Sequence, residues 1–492
     1  MRRAAHKIAL MGAASLSLAL SAVPVAAQVT PQDNQTLIAS VEQGAPRMAE
    51  VAHQIWEYAE VGYQETKSSA LLQSELKSAG FKVEAGVAGM PTAFVASFKN
   101  GDGPVIAILA EFDALPGLAQ EAKAERAPIA GQIAGHACGH HLFGAASVAA
   151  AQSLAAWMKA NNVAGEIRVY GTPAEEGGSG KVYMVREGLF DDVDATLHWH
   201  PNDSNSAAQS VSLANISGKF RFAGASAHAS AAPFRGRSAL DGVEIMNVSV
   251  NYLREHIPDG TRIHYVVTDG GTAPNVVPDK AEVYYYVRHT DPQVVRDVFA
   301  RMQKAAEGAA MASETKVSFE QTGGVYNMLV NDTLGQVMDQ ALREVGPPEW
   351  TAEEKAFADA MTAQLPAGNK ASPVSEIQPY AIGGGGGGST DVADVSWVTP
   401  TAGMGAATWV PGTPAHSWQA VAAGGMSIGS KGAEVAAKTI ALAGARLLRE
   451  PQLIETAKAE LDERRGADFT YEAMVGDRAP PLDYRKSAKS GD

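Results

Sequence analysis

Three short apolar segments of the chain each run directly into a cluster of polar residues. Residues 104–110 (PVIAILA) lead into EFD, residues 166–171 (EIRVYG) lead into TPAEEGG, and residues 195–198 (ATLH) lead into WHP. Helical patterns alternate with them, as in the alanine-rich residues 145–160. Strands buried on both faces of a parallel sheet read as continuous apolar runs. This series therefore predicts an α/β layered fold with a site at the carboxyl ends of its strands.

The pattern changes between residues 212 and 330. Residues 218–223 and 281–288 alternate polar and apolar side chains, which is typical of half-buried antiparallel strands. Residues 239–256 and 292–312 have helical periodicity instead. The order strand, helix, strand, strand, helix, strand is the split βαβ arrangement of an α+β domain.

Candidate site residues lie on both sides of this α+β region, so we interpret it as an insertion. The predicted limits are a catalytic domain in two parts, 28–211 and 331–492, around an inserted domain at 212–330. A length of 492 residues suits two or three domains, and a hydrophobic content of 46% supports a large core. The formal net charge of -14 argues against nucleic acid or an anionic membrane as the main partner, because both need a basic surface.

The N-terminus has the features of an export signal. Basic residues, Arg2 and Arg3 among them, precede an apolar run at 8–20, and small residues at 25–27 suit cleavage. An uncleaved anchor is the alternative, although the apolar run is short for a membrane span. We predict a signal peptide at 1–27 and a periplasmic or secreted protein that is free of the membrane after cleavage. The choice between the Sec and twin-arginine routes stays open.

Cys138 is the only cysteine, so the chain can form no internal disulfide. A free thiol in an exported protein is vulnerable to oxidation, which favours metal ligation over simple burial as the reason for its presence. The surrounding motif GHACGHHLFG supplies three histidines as well. The spacing of these donors is typical of a metal site.

Glu175 and Glu176 are adjacent in the stretch VYGTPAEEGG. Seven of the twelve histidines fall inside a few short motifs, namely His136, His140, His141, His198, His200, His228 and His416. A thiol, clustered imidazoles and two adjacent carboxylates are the groups of a metal-assisted hydrolase. In such an enzyme one carboxylate holds the metal and its neighbour moves a proton.

Eight stretches along the chain together resemble one family. They are EFDALPG (111–117), GHACGHHLFG (135–144), TPAEEGG (172–178), LHWHP (197–201), GASAHAS (224–230), PNVVP (274–278), STDVADVSW (389–397) and GTPAHSWQ (412–419). The chain resembles the M20 metallopeptidase family in its amidohydrolase branch, which includes hydrolases of auxin conjugates, hippurate and p-aminobenzoyl-glutamate. The resemblance implies a zinc-exopeptidase-like layered catalytic domain with an inserted dimerisation domain, and hence a homodimer.

The resemblance also implies two divalent metal ions, zinc or manganese, in one site. The matching ligand positions are Cys138, His140, Glu176, His198 and His416. Glu175 matches the general base, and Asp113 matches a carboxylate that orients a ligating histidine; a helix cap or salt bridge is the alternative for Asp113. The roles of His141, which stands where many relatives have Asp, and of His200 are left open.

In relatives the inserted domain lends a histidine to the active site of the other subunit, and His228 matches that residue. Asn275 and Arg288 match residues that bind the substrate. A guanidinium suits a carboxylate because its donors form a bidentate fork. The alternatives are a structural turn at Asn275 and a solvated strand-end charge at Arg288.

The resulting expectation is an enzyme that hydrolyses the C–N amide bond of small N-acyl amino acids, p-aminobenzoyl-glutamate-like compounds among them. One alternative is a dipeptidase or aminopeptidase of the same family. Another is a non-catalytic binding protein on this fold. Six consecutive glycines at 383–388 suit either a flexible linker or a backbone that approaches a ligand closely.

Overall fold

A computed structural model of the protein describes residues 28–365 and 371–486. The predicted signal peptide at 1–27 therefore lies outside the described residues. Within the two described ranges, no helix combines the length and the apolar character that a membrane crossing requires.

The helices and strands follow one another in an alternating order. The strands are β1 (Lys82–Ala85), β2 (Phe94–Lys99), β3 (Val105–Ala110), β4 (Leu115–Pro116), β5 (Ala134–Gly135), β6 (Glu166–Gly171), β7 (Ala195–Asn202), β8 (Gln209–Val211), β9 (Ala214–Ala223), β10 (Arg262–Asp269), β11 (Lys280–His289), β12 (Lys316–Val325), β13 (Ile382–Gly385) and β14 (Thr401–Ala407). The helices are α1 (Pro31–Tyr58), α2 (Thr66–Ser78), α3 (His140–Ala160), α4 (Gly180–Arg186), α5 (Ala239–Leu253), α6 (Pro292–Ala312), α7 (Asp332–Val345), α8 (Ala352–Thr362), α9 (Val392–Ser396), α10 (Trp418–Gly424), α11 (Ser427–Arg449) and α12 (Pro451–Arg465).

A six-stranded mixed sheet carries the polar motifs. Its spatial order is β1-β2-β6-β3-β7-β14, and its last four strands, β6, β3, β7 and β14, run parallel. Helices α1, α3 and α11 pack against one another, and α3 and α11 also contact the sheet. Because parallel strands end at the same edge, the polar residues that follow β3, β6 and β7 meet there.

A separate four-stranded antiparallel sheet lies between β8 and α7 in the chain, with the spatial order β10-β11-β9-β12. Helices α5 and α6 pack on it and against each other. The chain order β9-α5-β10-β11-α6-β12 is the predicted split βαβ arrangement. The predicted fold class, an α/β layered unit with an α+β insertion, is confirmed, while the residue limits of the domains stay a prediction.

Two element ends differ from expectation, and both concern the site. Helix α3 begins at His140, not at residue 145, because Gly139 turns the chain with a φ of 78°. A side chain at Gly139 would collide with Pro201, since an added Cβ would lie 2.6 Å from the Pro201 Cβ. Strand β7 continues to Asn202, four residues beyond its expected end. The cysteine motif therefore packs closely against the end of β7.

Candidate metal centre and active site

Two groups of possible metal ligands share Cys138. Cys138, His140 and His200 form one group, and Cys138, Glu176 and His416 form the other; within each, the ligand atoms lie within 4.8 Å of one another. His416 Nε2 is 3.0 Å from Glu176 Oε1, and Cys138 Sγ is 3.5 Å from His200 Nε2. Residues 138, 176, 200 and 416 are brought together from four separate motifs.

His198, a predicted ligand, is not in either group. Its half-buried ring packs on Gly403, where an added Cβ would lie 2.3 Å from the ring carbon Cε1. His198 and His200 share one face of β7, because side chains of a strand alternate. His200 is nearer the carboxyl end of the strand, where the other donors lie. The structure therefore groups His200, whose role the motif left open, with Cys138 and His140, and leaves His198 outside both groups, so the assignment of His198 as a ligand stays a prediction.

The donor atoms suit a bound cation. Among the described residues, His140 Nε2 and Glu176 Oε1 are buried and make no hydrogen bond. His140 Nε2 nevertheless lies 3.0 Å from Glu111 Oε2, and Glu176 Oε1 lies 3.0 Å from His416 Nε2. Burial raises the pKa of the Cys138 thiol, so a thiolate there needs a positive charge beside it. Burial also lowers the pKa of His200 to about 4, which keeps its imidazole neutral as metal ligation requires. Mixed sulfur, nitrogen and oxygen donors fit zinc and similar divalent ions.

Asp113 supports two of the site residues at once. Its Oδ1 lies 2.7 Å from His140 Nδ1, and its Oδ2 accepts a hydrogen bond of 2.9 Å from the backbone N–H of Glu176. Burial opposes ionisation of Asp113, but the neighbouring His140 overcomes this and holds the pKa at about 2. A carboxylate that accepts from one ring nitrogen fixes the tautomer and leaves the other nitrogen for the metal.

The loop after β6 aims both glutamates toward the site. Ala174 has a φ of 57° and Ser179 a φ of 60°, so two residues in the left-handed conformation bracket Glu175 and Glu176. The N–H of Gly177 donates to the Glu175 carbonyl at 2.7 Å and closes a tight turn between them. Left-handed conformations cost about 1–3 kcal/mol each and cluster at functional sites. The turn allows adjacent carboxylates to serve one site, which an extended strand would prevent.

A buried lysine beside Glu175 was missed by the sequence analysis. Lys181 Nζ lies 2.7 Å from Glu111 Oε1 and 2.7 Å from Asp391 Oδ1, and all three side chains are buried. Glu111, His140 and Glu175 form a third donor group. Since Glu111 is already paired with the ammonium of Lys181, we interpret this third group as a fixed charge network. A lysine within the apolar stretch KVYMV was the available signal.

Glu175 has an environment that suits proton transfer. Burial raises its pKa well above the usual value for a glutamate, and the negative charges of Glu111 and Glu176 add to this. Glu176 differs, because the effect of burial is outweighed by the adjacent His416 and its pKa is lowered. Two neighbouring carboxylates with opposite pKa shifts are typical of a division between proton carrier and metal ligand.

A cleft of about 400 Å³ opens beside these carboxylates, between the loop after β6 and strands β9, β11 and β12 of the inserted sheet. Glu175, Glu176 and His416 line one side, and Arg288 and Tyr286 of β11 line another. The guanidinium carbon of Arg288 lies 5.4 Å from the Tyr286 ring centroid. Among the described residues no carboxylate pairs with Arg288, so its charge is available to an anionic ligand. Residues 388–391, which include the last of the six glycines, also line the cleft.

His228 and Asn275 lie together but away from this cleft. The N–H of Ala229 donates to the Asn275 carbonyl at 3.0 Å, and His228 forms a backbone bridge with Val276. Among the described residues that line the cleft, neither His228 nor Asn275 is present. Both side chains are exposed. Within one chain, the structure therefore brings Arg288 to the candidate ligands and leaves His228 and Asn275 outside.

The other two histidines of the cysteine motif have backbone partners. His136 Nε2 lies 3.0 Å from the carbonyl of Ile55, and His141 Nε2 lies 3.0 Å from the carbonyl of Gly424. Their buried rings are 4.9 Å apart between centroids. Both rings hold the motif against neighbouring elements and neither belongs to a ligand group.

Replacing His200 is expected to reduce metal content, whereas replacing His198 is not. Loss of a residue that only supports a metal ligand lowers metal affinity by roughly 10–100-fold. His200→Gln removes a proposed ligand itself, so we expect metal affinity to fall by at least this factor. His198→Gln is the matched control on the same strand face. Metal analysis after equilibrium dialysis measures both. Metal loss confined to His198→Gln would instead support His198 as the ligand, as the family resemblance implies.

The chain is similar in sequence to known proteins of one family. Residues 107–392 match the model of peptidase family M20/M25/M40. The chain is 40% identical over 448 residues to one of the subunits of p-aminobenzoyl-glutamate hydrolase of Escherichia coli (strain K12), covering 86% of this chain and 93% of that protein.

Solved structures share the fold. One, assigned as an aminohydrolase of methicillin-resistant Staphylococcus aureus, has a TM-score of 0.64 at 19% identity and covers 84% of this chain and 100% of its own. Another, a Bacillus subtilis protein described as a dinuclear metal-binding M20 peptidase, has a TM-score of 0.51 at 18% identity, covering 80% of this chain and 98% of its own. The extent of the family match and the 40% identity establish that the chain belongs to peptidase family M20/M25/M40.

Proposed function

We propose that this protein is a metal-dependent amidohydrolase that cleaves the amide bond of N-acyl amino acids, and that p-aminobenzoyl-glutamate is among its substrates. The observation that carries the proposal is the shared cleft. Its lining combines Glu175, the proposed proton carrier, with the unpaired Arg288 and with two members of a ligand group, Glu176 and His416. The ligand atoms of those two residues lie within 4.8 Å of Cys138 Sγ, which the two ligand groups share. The name and 40% identity of the Escherichia coli relative support the choice of acyl group.

The site suits two divalent ions, for which Cys138, His140, Glu176, His200 and His416 are the proposed ligands. Bound there, zinc or manganese ions would supply Lewis acidity to the scissile carbonyl and lower the pKa of water in the site. The Bacillus subtilis family member with two metals supports this number, although it shares only the fold at 18% identity. The chain's own residues perform the remaining steps.

Glu175 is the proposed proton carrier. It takes a proton from the attacking water and returns it to the amide nitrogen as the C–N bond breaks, so the products are a carboxylic acid and a free amino acid. Its raised pKa suits this, because a carboxyl that retains its proton can also donate it. Lys181 fixes the neighbouring Glu111 and Asp391, so that their charges stay in place during the transfer.

Arg288 is proposed to bind the free carboxylate of the substrate's amino-acid portion. It is half-buried on β11, faces the same cleft as Glu175, and has no carboxylate partner among the described residues. The aromatic ring of Tyr286 holds the guanidinium from one side. This arrangement favours an acyl amino acid with a free carboxylate over a substrate that is amidated at that end.

We also propose that the protein forms a homodimer through the inserted sheet. Strand β10 is paired on only one side within the described chain, and its Val266 side chain is 55% exposed. Val248 and Tyr252 of α5, the helix that packs on the neighbouring strand β11, are 52% and 67% exposed. An unpaired edge next to apolar side chains suits a second copy of the same chain, because such edges pair readily. A homodimer would also bring the inserted domain of the second copy toward the catalytic cleft.

Export to the periplasm or the medium is proposed on the sequence of residues 1–27 alone. The mature protein should then begin at Gln28, which sequencing of its N-terminus would test. An intact N-terminus on protein recovered from the cytoplasm would oppose the proposal.

The activity test uses purified protein with three kinds of compound. p-Aminobenzoyl-glutamate and other N-acyl amino acids should be cleaved, while the corresponding free dipeptides and C-terminally amidated analogues should be poor substrates. A chelator should abolish cleavage, and zinc, manganese or cobalt should restore it, with about two ions bound per chain. Preferential cleavage of free dipeptides would favour a dipeptidase. Full activity in protein verified to be free of metal would overturn the proposal.

A further inference from the structure

The C-terminal segment, residues 466–486, returns from α12 to the metal loops. Along its course Tyr471 Oη donates to Asp394 Oδ1 at 2.7 Å, and the Arg478 carbonyl accepts from Arg186 Nη1 at 2.8 Å. Arg478 itself donates to the carbonyl of Thr322 in β12. The segment is therefore anchored to helices α9 and α4 and to strand β12 before it reaches the active site.

The end of this segment is fixed next to the catalytic loop. The Leu482 carbonyl accepts a hydrogen bond of 2.8 Å from Gln64 Nε2. The Tyr484 ring meets the edge of the Tyr63 ring with centroids 5.8 Å apart. Tyr63 in turn donates through Oη to the Gly178 carbonyl at 2.7 Å. The turn that bears Glu175 and Glu176 is thus held from its outer side.

Tyr484 and Arg485 reach the same backbone atom. Tyr484 Oη donates to the Glu176 carbonyl at 2.9 Å, and Arg485 Nη2 donates to it as well. Arg485 Nη1 also donates at 3.2 Å to the carbonyl of Ala114, the residue after Asp113. One guanidinium therefore joins the loop of Asp113 to the loop of Glu176.

This arrangement fixes the Glu176 residue at both ends. Its N–H donates to Asp113 Oδ2, and its carbonyl accepts from Tyr484 and Arg485. The loop needs such restraint because Ala174 is in the left-handed conformation and Gly177 follows directly after the two glutamates, also with a positive φ of 91°. A displacement of about 1 Å in a catalytic group can lower a rate by about 100-fold.

We propose that Arg485, assisted by Tyr484, is a positioning residue that sets the direction of the two adjacent carboxylates, Glu175 and Glu176. The inference rests on the proposed function, in which Glu176 holds metal and Glu175 carries the proton. Arg485 acts through the backbone, because its hydrogen bonds to these loops go to the carbonyls of Ala114 and Glu176 and not to a side-chain donor atom of the proposed metal ligands. Its loss is expected to leave the cleft wall at Arg288 unchanged and to disturb the carboxylates.

The test compares four variants of the full chain. Arg485→Met removes both backbone contacts, Arg485→Lys keeps the charge but can satisfy fewer carbonyls, and Tyr484→Phe removes one hydroxyl and keeps the ring. Lys486→Met is the matched control, because this neighbouring cation is exposed and pairs only with Asp483 among the described residues. Thermal unfolding of each variant checks that it is folded, and Tyr484→Phe, which retains the packing, serves as the test if Arg485→Met does not fold.

The measurements are metal affinity by competition with a chelator, the absorption spectrum of the cobalt-loaded protein, and kcat and KM separately. In Arg485→Met, metal affinity or kcat should fall by roughly 10–100-fold, the range for residues that support metal ligands, while KM changes by less than about threefold. The cobalt spectrum should shift, Arg485→Lys should recover part of the loss, and Lys486→Met should match the wild type.

Two failures are distinguishable. If the wild type binds metal and cleaves the substrate, but folded Arg485→Met and Tyr484→Phe keep wild-type metal affinity, spectrum and kcat, the positioning role is overturned and the proposed function stands. An equal loss in Lys486→Met would also overturn the positioning role. If the wild type neither binds metal nor cleaves any amide, the proposed function fails and this inference fails with it.

Discussion

Replacing Glu175 by glutamine is expected to lower kcat by roughly 10²–10⁴, the usual contribution of a general acid–base group, while the bound metal is retained. The substitution changes little in shape and removes only the ability to accept and return a proton. Glu175 lines the cleft but does not belong to the ligand groups that contain Cys138, so the substitution removes none of the five proposed metal ligands. Activity assays and metal analysis of the same preparation measure the two effects.

Glu176→Gln is the matched comparison, because it changes the adjacent side chain in the same way. Glu176 shares a group with Cys138 and His416, so this variant should lose metal as well as activity. If Glu175→Gln loses the metal and Glu176→Gln keeps it, the roles of the two neighbours are reversed. Wild-type kcat in Glu175→Gln would remove the general base from the proposal altogether.

Mixing two inactive variants is expected to restore activity if His228 acts across a dimer. His228→Ala alone should lower kcat by about 10²–10³, the cost of losing one donor to the developing oxyanion. The reason to place it in the other protomer's site is positional. His228 is exposed and lies outside the cleft of its own chain, while the unpaired β10 edge can join two inserted sheets.

The mixture combines His228→Ala chains with Glu175→Gln chains under conditions that exchange protomers. In a mixed dimer, one site has an intact Glu175 and receives an intact His228 from the other chain, while the second site lacks both. Random exchange in a two-fold dimer should therefore return about a quarter of wild-type activity. Sedimentation or light scattering must show that the chains are dimeric, and differently tagged chains must show that they exchange.

No recovery in proven mixed dimers would place His228 within its own site or make it structural. A monomeric wild-type protein with full activity would exclude the dimer mechanism, and dependence on a different polypeptide would do the same. The Escherichia coli relative is named as one subunit of its hydrolase, which makes the last outcome worth testing.

The layered fold was predictable because its signal is local. The apolar runs at β3 and β6 and the alternating residues of β9 and β11 each report the burial of one strand. The adjacent carboxylates and the cysteine motif identify the chemistry for the same reason, since each is a short contiguous pattern. How these patterns meet in space is a separate question, which depends on long-range contacts.

Three features of the site depended on such contacts. Which of His198 and His200 lies near the other donors depends on how far β7 extends, and the end of a strand is not sharply marked in a sequence. Lys181 and Asp391 are 210 residues apart, so their pairing is not visible along the chain. Arg485 lies in a segment without regular structure, where neither periodicity nor a motif points to a role.

The pairing of β7 with β14 has a consequence for how the protein is made. About 200 residues separate these two neighbouring strands, so one edge of β7 stays open while the intervening chain is being synthesised. Joining such distant strands requires closure of a long loop, which is slow and leaves a partly folded species with an exposed edge. His416 follows β14 in the chain, so we expect it to reach the other donors only after that closure. If the site binds metal as proposed, we expect metal affinity to develop only when β14 has joined β7, and we expect chain that has not reached this stage to be the species at risk of aggregation.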